Sequence, residues 1–100
     1  MTGNALRLRK REVKPMYYVY IIKSDTEDWR YVGYTSDLRA RLKDHNNGKV
    51  ASTKLRRPYI IESYMAVQEK KTALELERYF KTGSGIAWIN KRLLSSSSPV

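Results

Sequence analysis

Apolar residues gather along the chain in three clusters with strand character and recur in three further stretches at helical spacing. Tyr17 to Lys23, Tyr-Tyr-Val-Tyr-Ile-Ile-Lys, is dense in aromatic and β-branched residues, and Trp29 to Tyr34 repeats that character after the polar run Ser24-Asp25-Thr26-Glu27-Asp28. Two strands joined by a turn are predicted. A helix follows, with Ser36 as its N-cap, Asp37 at the positive end of its dipole and Asn47-Gly48 as its stop. Tyr59 to Ala66, opened by Pro58, reads as a third strand. A second helix is predicted from Glu69 to Thr82 and a short last one from Ile86 to Leu94, with Ile86, Ile89 and Leu93 on one side. Gly83-Ser84-Gly85 then serves as C-cap and turn between them. The element order is ββαβαα, an α+β domain.

Helical phase sorts the charged residues. At about 100° per residue the first helix buries Leu38 and Leu42, with Arg41 and His45 close beside them and Arg39 and Lys43 on the solvent side. Arg41 and His45 are thus expected to face a polar cleft. The second helix groups Ala73, Leu76 and Phe80, with Glu77 inside their arc and Glu75 pointing away. A carboxylate on an apolar face is costly unless paired or holding a metal, so Glu77 is the acid to follow. A salt bridge to Arg41 or Arg78 would satisfy it equally well. His45, near a helix C-terminus, suits a dipole partner as well as a catalyst.

Composition narrows the chemistry. The chain has 100 residues, enough for one domain with a small core. Twenty Lys and Arg against ten Asp and Glu give a net charge of +10, which favours a polyanionic partner. There is no cysteine, so disulfides and thiolate metal sites are excluded, and one histidine excludes any site with two imidazoles. No apolar run approaches the roughly 20 residues of a membrane span, and no secretory signal is visible. A cytoplasmic setting and a monomer are expected.

Three segments are expected: a basic flexible arm over 1–15, a folded domain over 16–94, and a disordered Ser-rich tail over 95–100. Inside the domain Lys49 to Arg57 carries Lys49, Lys54, Arg56 and Arg57 with no acid, the most basic internal stretch.

Val19-Tyr20-Ile21, then Tyr31-Val32-Gly33, Arg41 ten residues beyond Tyr31, His45 four further and Glu77 near the end together resemble the GIY-YIG endonucleases, and in particular their small standalone bacterial members. Similarity runs from Tyr17 to Leu94. The resemblance implies a three-stranded antiparallel sheet flanked by helices that hydrolyses DNA phosphodiesters with one divalent ion, Mg²⁺ or Mn²⁺. Carried over residue by residue, Tyr20 and Tyr31 shape the site and one of them positions or deprotonates the attacking water. Arg41 binds the scissile phosphate, Glu77 is the sole protein ligand of the metal, and His45 is a candidate general base or proton relay. Nearby cations would lower the pKa of the tyrosine that acts as base.

Gly33 would let the backbone pass close to the substrate. Tyr34 stands where many members carry lysine, and Asn90 is the late asparagine that could assist. With Lys49, Lys54, Arg56 and Arg57 these form the expected nucleic-acid contacts. The expected function is a metal-dependent DNA endonuclease or nickase acting on branched or damaged DNA in repair or recombination, with DNA, or RNA, as partner. The alternative is a weakly active or inactive nucleic-acid-binding module on the same fold.

Overall fold

The computed structural model describes residues 15–94. Strands β1 (Tyr17–Ser24) and β2 (Arg30–Thr35) precede helix α1 (Leu38–Asn46). A single 3-10 turn (Lys54–Arg56), β3 (Tyr59–Val67), α2 (Lys70–Phe80) and α3 (Gly83–Arg92) complete the fold. The strands form one antiparallel sheet in the order β2-β1-β3, so the chain is α+β in the expected order ββαβαα. Apart from Pro15, the segments expected as a basic arm and a Ser-rich tail lie outside the described residues.

β1 is the central strand because both of its faces are apolar. Val19, Tyr20, Ile21 and Ile22 are all buried, and the period of two sends them alternately to opposite sides. Val19 and Ile21 pack with Ala73, Phe80 and Ile89 from α2 and α3. Tyr20 and Ile22 pack with Tyr59 on the other face, beneath Leu38 and Leu42 of α1. The sheet therefore separates two thin cores, and the tyrosine side faces α1.

Asp37, not Ser36, caps α1. Its backbone is extended, and its carboxylate accepts the Ala40 N–H at 3.0 Å. Thr35 fixes the boundary by accepting the Asp37 N–H through its hydroxyl at 3.1 Å. The other end stops as expected: Asn47 is the C-cap and Gly48 takes φ +77°, a conformation open to glycine.

Gly83-Ser84-Gly85 is not a connector but the first turn of α3. Thr82 supplies the N-cap by accepting the Gly85 N–H at 3.1 Å. Gly85 is buried against the end of α2, where a Cβ would collide with the Tyr79 carbonyl. Its missing side chain lets α3 fold back tightly on α2, which local helix propensity does not foresee. Along α3, Ile89 is buried and Leu93 packs against the core, but Ile86 is half exposed and does not join their stripe.

Candidate active site

The β1–β2 register pairs Tyr20 with Gly33 and Ile22 with Tyr31. Both tyrosines therefore project on the α1 side of the sheet. Tyr20 is 2% exposed and His45 0%, and the Tyr20 hydroxyl meets His45 Nε2 at 2.8 Å. On its far side His45 Nδ1 meets Thr53 Oγ1 at 2.7 Å. The Thr53 hydroxyl also lies 3.4 Å from the Val50 carbonyl, so the loop after α1 closes over the ring. Three tyrosine rings, from Tyr20, Tyr31 and Tyr59, stand edge-on around the imidazole with centroids 5.7, 5.4 and 6.1 Å away.

This enclosure keeps His45 neutral. Burial, helped by the positive charge of Arg41 and opposed by Asp44, lowers its pKa to about 4. His45 does not line a cleft, as its helical phase suggested; it is fully buried, bonded to the Tyr20 hydroxyl on one side and to Thr53 on the other. Leu38 and Leu42 are only half-buried, so the imidazole, not the leucines, is the deepest side chain of α1.

Tyr20 also departs from expectation. Burial raises its pKa above the ordinary tyrosine value and outweighs the hydrogen bond and charge of Arg41, which pull it down. Arg41 by itself therefore does not make this phenol acidic. Gly33 is buried, and the space a side chain would need there is filled by the Tyr20 hydroxyl. Its glycine serves a close approach, but of the phenol.

Tyr31, Arg41 and Glu77 are partly open to solvent. The Arg41 guanidinium sits beside the Tyr20 hydroxyl, which raises its already high pKa, and lies 3.9 Å from Asp44 Oδ2. Glu77 occupies the inward arc of α2 as its phase predicts, with a side chain 21% exposed. Its ion pair goes to neither Arg41 nor Arg78: Lys81 Nζ lies 3.3 Å from Glu77 Oε2 and 5.1 Å from the centre of the Tyr31 ring. Lys81 thus ties Glu77 to Tyr31. Its one sequence signal was the spacing of four from Glu77.

The remaining candidates separate. Tyr34 falls on the other face of the sheet from Tyr31, packs against the α2–α3 core and shares a recess with Arg41 and Lys70. Asn90 lines a groove of about 410 Å³ together with Tyr31 and Lys81, so it borders the same region. Lys49 and Lys54 are exposed. Arg57 donates from Nε to the Lys54 carbonyl at 2.8 Å, while Arg56 is folded inward, 4.5 Å over the Trp29 ring and 3.2 Å from Glu27.

Among the described residues no group of three or more His, Cys, Asp or Glu side chains converges. A protein-only cage for zinc is therefore not on offer here. A single carboxylate at a partly open position fits a hard ion such as Mg²⁺ or Mn²⁺, which completes its shell with water and substrate oxygens.

The family model described as GIY-YIG catalytic domain matches residues 16–86, and the chain belongs to this family of nuclease domains. The matched stretch contains Tyr20, Tyr31, Arg41, His45 and Glu77, while Asn90 lies beyond it. The chain is similar to the UPF0213 protein YazA of Bacillus subtilis (strain 168), 41% identical over 66 residues covering 65% of this chain and 66% of that protein. A UPF0213 protein of Bacillus pumilus (strain SAFR-032) is 36% identical over 80 residues, 79% of this chain and 76% of its own. The solution NMR structure of the UPF0213 protein BH0048 from Bacillus halodurans is 26% identical, with a TM-score of 0.48 over 84% of this chain and 88% of that one. No helix among the described residues is long and apolar enough to cross a membrane.

Proposed function

We propose that this chain is a metal-dependent DNA endonuclease or nickase that hydrolyses phosphodiester bonds of branched or damaged DNA in repair or recombination. The observation that carries this reading is the placement of Arg41 beside the Tyr20 hydroxyl and of Glu77, through Lys81, beside Tyr31. Arg41 offers a permanent planar cation to the scissile phosphate. Tyr31, the more open phenol, orients the water that attacks phosphorus. Tyr20, hydrogen-bonded to His45, presents its oxygen to Arg41 and holds that guanidinium in place. Glu77 would hold one Mg²⁺ or Mn²⁺, which when bound supplies Lewis-acid stabilisation of the charge on the leaving oxygen. His45 acts in this scheme as a positioning residue.

A second reading is a binding module that does not cut. It is favoured by the ion pair that already engages Glu77 with Lys81. Purified protein offered duplex, nicked, flapped and four-way DNA with Mg²⁺ or Mn²⁺ separates the two. Nicking that Glu77→Ala reduces by roughly a hundredfold or more, with DNA binding retained, supports the enzyme. Cleavage undiminished in that variant sinks the assignment, and binding with no turnover on any of these substrates supports the module.

A further inference from the structure

Leu55 stands at the apex of the loop between α1 and β3 and is 87% exposed, the most open large apolar side chain among the described residues. A lone surface leucine is ordinary. Its frame is not. The turn Lys54–Arg56 is pinned at both ends. Before it, Thr53 is fully buried, bonded through Oγ1 to His45 at 2.7 Å and through its carbonyl to the Tyr59 hydroxyl at 2.7 Å. After it, the Arg56 carbonyl accepts the Ser24 hydroxyl at 2.7 Å, and the Arg56 guanidinium is clamped between Trp29 and Glu27. The leucine therefore projects from a braced platform, flanked by Lys54, Arg57 and Lys49 with no acid from Lys49 to Arg57.

We propose that Leu55 is a wedge that enters the base stack of duplex DNA at a step already weakened by a nick or a mismatch. This rests on the reading of DNA as the substrate and names its kind. An inserted apolar side chain gains contact with two base faces but must separate them, so it selects steps where stacking is already impaired. Lys54, Arg57 and Lys49 hold the flanking phosphates, as the sign of their charge requires. Because Thr53 is bonded to His45 and His45 to Tyr20, wedge and candidate active site belong to one rigid unit. Any cut then falls at a fixed offset from the opened step.

The test is binding without metal, in EDTA, of the full chain to a matched duplex and to the same duplex carrying a nick beside 2-aminopurine. Wild type is expected to prefer the nicked duplex by roughly tenfold and to raise the 2-aminopurine fluorescence as its base unstacks. Leu55→Ser, at a site too exposed to disturb folding, should bind both duplexes as wild type binds the matched one, with no fluorescence rise. Lys54→Ala should weaken both duplexes alike and lower the salt dependence. A preference that survives Leu55→Ser, or a wild type that shows none, overturns the wedge. A Leu55-dependent preference in a protein that never cuts with metal supports the wedge and overturns the nuclease reading instead.

Discussion

The Tyr20 hydroxyl and His45 Nε2 share a hydrogen bond of 2.8 Å in an enclosure where neither side chain reaches solvent. Thr53 holds the other ring nitrogen at 2.7 Å, so both nitrogens are engaged inside the fold. A buried polar pair of this kind stabilises only while both partners keep the protonation state that satisfies it.

Acid should therefore weaken the fold through His45. Its pKa is about 4 in the folded protein, against about 6.5 for a free imidazole, so the unfolded chain takes up a proton that the folded one resists. The contribution is fully present above about pH 6.5 and is lost as pH falls to about 4, on the order of 3 kcal/mol in all. His45→Gln should be less stable than wild type at neutral pH by about 1–3 kcal/mol, yet lose less on acidification across that window. Urea midpoints for both proteins over this range decide it; parallel pH profiles would show that His45 is not the group responsible.

Gly33→Ala tests the same enclosure from the opposite strand. The added methyl collides with the Tyr20 ring and hydroxyl, and Tyr20 cannot retreat because His45 stands behind it. The expected loss is about 1–3 kcal/mol of stability. Tyr20→Phe removes the hydroxyl and relieves part of the overlap, so the double variant should be more stable than the sum of the single effects allows. Strict additivity in denaturation experiments would count against the contact.

Strands and helical phase were legible because they are local. Four apolar residues in a row, Val19 to Ile22, mark a strand covered on both faces, and rotation about the helix axis selects Arg41 over Arg39 and Glu77 over Glu75. The depth of His45 was not legible, because Thr53, which completes its enclosure, comes from a loop beyond the helix and meets it only in the folded chain. Gly85 was hidden for a similar reason: its use depends on the carbonyl of Tyr79 in the preceding helix. Ser36 and Asp37 are equivalent cap candidates by type, and the Thr35 hydroxyl decides between them. Tyr34 comes from the family pattern; strand parity sets it against the α2–α3 core, and only the folded chain shows that it also shares a recess with Arg41 and Lys70.

Lys81 competes with any cation for Glu77. Its ammonium lies 3.3 Å from Glu77 Oε2, and its charge opposes a cation bound to the same carboxylate. The pair is partly exposed, with Lys81 46% open, so the competition is modest, up to about fivefold in apparent metal affinity. Lys81→Met keeps the apolar stem against Tyr31 while removing the charge, and should lower by up to about that factor the Mn²⁺ concentration giving half-maximal binding. Lys81→Arg should leave it unchanged or raise it. Direct Mn²⁺ titration of the protein without DNA measures this apart from any nicking activity. In nicking assays the lowered Mn²⁺ requirement should appear together with weaker DNA binding, since the ammonium that Lys81→Met removes also lies 5.1 Å from the Tyr31 ring centre, where an incoming phosphate would meet it. A half-saturation point that rises in Lys81→Met would mean that Lys81 orders Glu77 for the metal instead of opposing it.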